Sequence, residues 1–186
     1  PLGYEESEKR YSVIYILHGG QHGSDERRHV KIANLVRLKW ERENEAMPMI
    51  YVFVNGGAVA YYDYPKKNSM GETVFIKELI PHIDKTYRTI ADRSGRGIEG
   101  YSGGGRAVTR IGFKYSELFC SAIAGCGGYN FEKQISETGV RGNYDAYLPG
   151  NNSYDRAREY AKTKEPKLPM MSTCGTADPW YPTNVD

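Results

Sequence analysis

The sequence is poor in cysteine, histidine, charge imbalance and long apolar runs, and each shortage removes a class of protein. It holds only 3 cysteines, Cys120, Cys126 and Cys174, in or at the ends of apolar runs. An odd count without regular spacing argues against a disulfide framework, so buried free thiols are the expected state. The 4 histidines include one H-x-x-x-H spacing, His18 to His22, but it spans a Gly-Gly loop. Without a helix to set both rings on one face, that spacing makes no metal site, and no metal is expected. The net charge is +2, and no Lys/Arg block is longer than Arg27-Arg28 or Lys66-Lys67. Nothing there offers a footing for nucleic acid. No apolar stretch approaches the roughly 20 residues of a membrane-spanning helix, so no membrane partner is expected. The opening "PLGYEESEKR" has neither an initiator Met nor a signal-peptide pattern. The expectation is that the true beginning lies upstream, which leaves the compartment unassigned.

What is present fits one domain. A chain of 186 residues can bury a core without disulfides or metals. Hydrophobic residues make up 39% and charged residues 26%, as in globular domains. The composition leans one way: 16 tyrosines against 5 Phe and 2 Trp. A tyrosine ring with its polar tip suits carbohydrate and aromatic-acid sites, although half-buried packing accounts for most of them.

Short apolar runs alternate with amphipathic segments. "SVIYILHGG" (12–20), "MPMIYVFVNGG" (47–57), "RGIEGYS" (96–102), "LFCSAIAGCGG" (118–128) and "LPMMSTCGT" (168–176) read as strands. Apolar runs without alternation suggest strands buried on both faces, as in a parallel sheet. Helices are expected over 25–39, 71–87, 103–115 and 154–162, with Pro81 kinking or breaking the second. The βαβαβαβ order predicts a doubly wound α/β domain. Residues 126–153 show no clear period and read as an excursion over the strand ends, a candidate substrate cap. Open α/β sheets place their sites beyond the carboxyl ends of strands, where most of these runs end in glycines.

Gly100-Tyr101-Ser102-Gly103-Gly104 is a G-x-S-x-G match between an expected strand and an expected helix. A serine nucleophile needs a tight, strained strand-to-helix turn that points its hydroxyl into the cleft. Side chains two positions either side would collide there, so Gly100 and Gly104 are steric requirements. The helix that follows directs its free N–H groups at the reaction centre, and Gly103 N–H can donate to an oxyanion. "LHGGQHG" (17–23) follows an earlier strand and supplies the matching loop, with Gly20 as the second donor. His18 is read as holding that loop rather than as a base.

With those motifs in view, the chain resembles the esterase branch of the α/β-hydrolases. "YSVIYILHGG", "ETVFIKELIPHIDKTYRTIADRSGRGIEGYSGGG" and "GTADPWYPTN" carry the resemblance, which covers most of the chain. That branch includes esterase D-like enzymes, feruloyl and acetyl-xylan esterases, and mycolyltransferases. The resemblance implies an α/β-hydrolase fold, a mostly parallel sheet with helices on both faces, and a Ser–Asp–His esterase acting on acyl esters, often of plant carbohydrate. It implies no cofactor. The acid should follow a later strand, and Asp178 in "CGTADPWYPTN" occupies that position. Asp63, Asp145 and Asp155 read as loop, solvated or capping residues.

The chain departs from the family in its histidines. His18, His22, His29 and His82 all precede Ser102, whereas the family's histidine follows the acid. The expectation is a chain truncated at both ends, with the triad histidine absent from it. An apolar sheet edge left open by truncation would invite a homo-oligomer. The substrate, a small-molecule or carbohydrate ester, is expected over the strand ends among loops 56–64, 126–153 and 179–182, with Tyr62 and Trp180 as aromatic contacts. An acyltransferase of the same fold and a non-catalytic carbohydrate binder are the competing functions.

Overall fold

Val13, Tyr15 and Leu17 are buried while Ser12, Ile14 and Ile16 between them are half-buried, the pattern of a strand inside a sheet. In the computed structural model, the described residues are 1–20, 35, 38–43, 47–56, 61–129, 132–133, 151–162, 167–179 and 181–184. Strand β1 (Ser12–Leu17) pairs in parallel with β2 (Met49–Val54). A short antiparallel pair, β3 (Asp63–Tyr64) and β4 (Ser69–Met70), follows; it replaces the loop reading of Asp63. Strands β5 (Arg96–Tyr101), β6 (Ser121–Gly125) and β7 (Met170–Thr173) complete the main sheet. Its order is β2-β1-β5-β6-β7 and every pairing is parallel. All five strands fall inside the five expected runs. They are shorter because the glycine-bearing ends leave the ladder to form loops.

One continuous helical stretch runs from α1 (Gly71–Thr73) through a π-helical segment over Val74–Leu79 into α2 (Ile80–Thr86). The helix therefore runs through the position where Pro81 is expected to break it. Proline lacks the N–H that would bond to the carbonyl four residues back, and its ring crowds that carbonyl. The wider π turns absorb the mismatch, and Ile80 N–H reaches back five residues to Phe75 O. Phe75, Ile76, Ile80 and Ile83 are buried, and Phe75 meets Tyr15 edge-on at 5.3 Å.

Helix α3 (Gly103–Lys114) packs on β1, β5 and β6 through Ala107, Val108 and Ile111. Helix α4 (Ser153–Ala161) packs on α3, and α5 (Tyr181–Asn184) is a single turn. Asn152 caps α4: its side chain accepts from Asp155 N–H at 2.9 Å, so Asp155 serves the first turn. The helix expected over 25–39 falls largely outside the described residues. Among the described residues no helix is long and apolar enough to cross a membrane.

Charge is buried behind α3. Arg110 is 0% exposed and Glu72 2%. They form an ion pair that Lys114 joins, while Tyr115 donates to Glu72 at 2.9 Å and Arg110 donates to Tyr61 O at 2.7 Å. This group ties α1 to α3. A second buried group anchors part of the 126–153 excursion. Glu132 accepts from the Tyr62 hydroxyl and, at 2.7 Å, from Ser153 N–H. Arg106 donates to Gly128 O at 3.1 Å. Burial pushes the Glu132 carboxyl up to about 7, against the opposing pull of the Ser153 hydrogen bonds.

Candidate active site

Ser102 stands between the end of β5 and the start of α3 with φ 55° and ψ −118°. Few non-glycine residues adopt such a backbone, and it persists only where the surroundings enforce it. Its N–H donates to Gly125 O at 2.8 Å, and its carbonyl accepts from Arg106 N–H at 3.0 Å. The turn is thus fixed on one side by β6 and on the other by the first turn of α3.

The glycines around it have measurable reasons. A Cβ on Gly100 would lie 2.5 Å from Gly104 C, and one on Gly104 would lie 2.0 Å from Leu17 O. Both positions are closed to side chains. The Gly19–Gly20 loop lies directly against the elbow: a Cβ on Gly19 would meet Ser102 Cβ at 2.9 Å, and one on Gly103 would meet Gly20 O at 2.8 Å. Gly20 has φ 86°, a conformation glycine adopts freely. Ser102, Gly103 and Gly20 therefore converge in one place. The leading N–H groups of α3 have no acceptor within the helix, and its dipole favours negative charge there.

His18 holds this loop from behind. Gly56 N–H donates to its Nε2 at 3.1 Å, which leaves the proton on Nδ1, 2.8 Å from Gly19 O. A ring bonded at both nitrogens fixes the loop and is not placed to accept a proton from serine. His82 is exposed on α2. His22 and His29 lie outside the described residues.

Asp178 is half-buried beyond β7, in a turn closed by its N–H donating to Gly175 O at 2.9 Å. It stands with Cys126 and Cys174, the three donor atoms all within 4.8 Å of one another. The cysteines are free, as expected, but partly exposed rather than buried. Cys126 and Cys174 follow strands instead of lying within them, and Cys120 precedes one. Burial, then Cys126 and Asp178, push the Cys174 thiol above its usual range.

Tyr62 departs from its expected role. It is 1% exposed, its ring lies under the Arg110 guanidinium at 4.0 Å, and its hydroxyl is engaged by Glu132. A ring so enclosed packs the interior and offers no face to a substrate. Trp180 lies outside the described residues, as do parts of the three expected substrate loops. Sequence reasoning passed over Tyr101, which is 62% exposed immediately before Ser102. Its position as the x of G-x-S was the available signal. Cys126 in particular raises the pKa of its phenol, with Asp178 and Cys174 adding to the effect. Tyr101, Gly100, Gly19 and His18 contribute to a cavity of about 270 Å³ that also takes in Phe53 and Glu99. A larger cavity of about 530 Å³ lies at Pro1–Glu6, Met49–Tyr51 and Tyr87, against the amino end of β2 and so away from Ser102.

Several known proteins share this architecture. The chain is 32% identical over 133 residues to "Esterase Rv1288" of Mycobacterium tuberculosis, covering 68% of this chain and 27% of that protein. It is 30% identical over 130 residues to an "Endo-1,4-beta-xylanase/feruloyl esterase" of Xylanibacter ruminicola, covering 64% of this chain and 17% of that protein. The chain therefore corresponds to about a quarter or less of the length of these relatives. Among solved structures, a ferulic acid esterase superposes with a TM-score of 0.77 at 27% identity, over 100% of this chain and 74% of that one. FphF, a fluorophosphonate-binding serine hydrolase of Staphylococcus aureus, superposes with a TM-score of 0.70 at 18% identity, over 97% of this chain and 70% of that one. The fold is that of the α/β-hydrolases. A family profile described as "Putative esterase" matches residues 1–180, and the chain belongs to that esterase family.

Proposed function

We propose that the chain carries the nucleophile, oxyanion hole and acid of a serine carboxylesterase that cleaves acyl esters of carbohydrate, of the feruloyl or acetyl type. The observation that carries this reading is Ser102 at φ 55° and ψ −118°, with the Gly19–Gly20 loop packed against it. Ser102 Oγ attacks the ester carbonyl carbon, and the resulting oxyanion accepts from Gly103 and Gly20 N–H. The alcohol leaves with a proton from the base, and water then hydrolyses the acyl-enzyme. Asp178 orients and stabilises a histidine base. His18 is committed to the loop and is not that base. The reaction needs no cofactor.

Feruloyl specificity draws support from the relatives' names and from Tyr101, an exposed ring beside the nucleophile that can stack on a phenolic acyl group. The test is kinetic, in a form of the protein that hydrolyses 4-nitrophenyl acetate. Ser102→Ala should lower kcat by about 10⁴-fold or more, because nucleophile and base act as a unit. Unchanged hydrolysis would sink the assignment.

A further inference from the structure

A second chemistry is available beside the elbow. Cys126 is the first residue past β6 and Cys174 the first past β7. The parallel register pairs Gly125 with Thr173, so the two cysteines leave the sheet side by side. Cys126 N–H donates to Thr173 O at 2.7 Å, which carries the pairing one residue further. Cys126 does so at φ 47°, a left-handed backbone uncommon for a non-glycine residue. The turn at Gly175–Asp178 brings the carboxylate back onto the pair. Two sulfurs and a carboxylate oxygen then lie within 4.8 Å of one another, on three partly exposed residues that solvent can reach.

We propose that Cys126, Cys174 and Asp178 form a binding site for a thiophilic divalent cation, with Zn²⁺ the best match. Zinc takes thiolate sulfur at about 2.3 Å and carboxylate oxygen at about 2.0–2.2 Å, so tetrahedral donors stand roughly 3.5–3.8 Å apart. The existing spacing, at most 4.8 Å, exceeds that value by about 1 Å, which zinc must close on binding. Two sulfur donors select against Mg²⁺ and Ca²⁺, which prefer an all-oxygen shell. Three protein ligands leave a fourth position for water. On binding, two S–H bonds are replaced by two S–Zn bonds, two protons pass to solvent, and no oxidation state changes. The cation has no part in ester hydrolysis. It would occupy Asp178, so zinc and the base histidine would compete for one carboxylate. The site rests on the three side chains and not on the catalytic role of Asp178.

The test is a titration of reduced, chelator-treated protein with ZnCl₂ against a chromophoric chelator, with a parallel Co²⁺ spectrum. The expected result is a single zinc per chain and a sulfur-to-cobalt charge-transfer band in the near ultraviolet. Cys126→Ser and Cys174→Ser should each lower the band per bound cobalt by about half and weaken zinc by more than about 100-fold, since outer-shell changes alone cost about 10–100-fold. Asp178→Asn should weaken zinc while keeping the band, and Cys120→Ser should change nothing. Circular dichroism and melting identify any variant that fails to fold, with Cys126→Ala and Cys174→Ala as replacements. Absence of zinc uptake, or a band undiminished in both cysteine variants, would overturn the proposal. So would a Cys126–Cys174 disulfide in unreduced protein whose reduced form takes up no metal. Hydrolysis that depends on Ser102 and Asp178 without any zinc binding would remove the cation site and leave the esterase reading standing.

Discussion

At Ser102 the strain is local, and so is its support. The serine keeps its left-handed backbone because Gly100 and Gly104 let β1, β5 and α3 close to distances no side chain allows. Gly104→Val should therefore cost a few kcal/mol, since even the first added carbon would fall 2.0 Å from Leu17 O. Urea denaturation measures this, and an unchanged midpoint would show that the elbow has room to spare. Tyr101→Ala is the specificity counterpart. Loss of a stacking partner worth roughly 0.5–1.5 kcal/mol should raise KM for methyl ferulate by about 2- to 10-fold and leave 4-nitrophenyl acetate little changed. This part of the site was legible in the sequence because its demands are steric and act within a few residues. Tyr62 was not legible. Its fate depends on Arg110 and Glu132, 48 and 70 positions away in the chain, and no local pattern encodes those contacts.

Among the elements, helices α1 and α3 are joined by buried charge rather than by apolar contact alone. Glu72→Gln would leave Arg110 buried at 0% exposure without its counter-charge, at a cost of about 3–5 kcal/mol. A melting temperature equal to that of the parent would refute this account of the helix pair. The Glu132 group makes a prediction in pH. Its carboxyl rises from 4.5 in the unfolded chain to about 7 in the folded one. Between those values the folded state binds the extra proton, so stability is full below the lower value and falls as pH rises through about 7. Denaturation at pH 5 and pH 8 should show that loss, on the order of 1–3 kcal/mol, shrinking in Glu132→Gln. Equal pH dependence in parent and variant would assign the effect elsewhere. The five strands were legible as short apolar runs without alternation, and helices α3 and α4 from their places beside those runs. The π segment before Pro81 was not, because proline announces a problem in the helix but not how the backbone resolves it.

For the whole molecule, the parallel order β2-β1-β5-β6-β7 decides what meets what. It sets the ends of β1, β5 and β6 side by side, which brings the Gly19–Gly20 loop against the elbow. It also brings Cys126 beside Cys174, residues whose sequence separation gave no hint of contact. The proposed role of Asp178 predicts that Asp178→Asn costs about 10³–10⁴-fold in kcat in a form of the protein that hydrolyses 4-nitrophenyl acetate. An unchanged kcat would remove Asp178 from the triad. The central claim, that Ser102 is the nucleophile, is tested most directly by covalent capture. A form of the protein that hydrolyses 4-nitrophenyl acetate is treated with a fluorophosphonate, and its intact mass and modified peptide are read. The account predicts a single adduct on Ser102, absent from Ser102→Ala. An adduct on another residue, or equal labelling of Ser102→Ala, would contradict it.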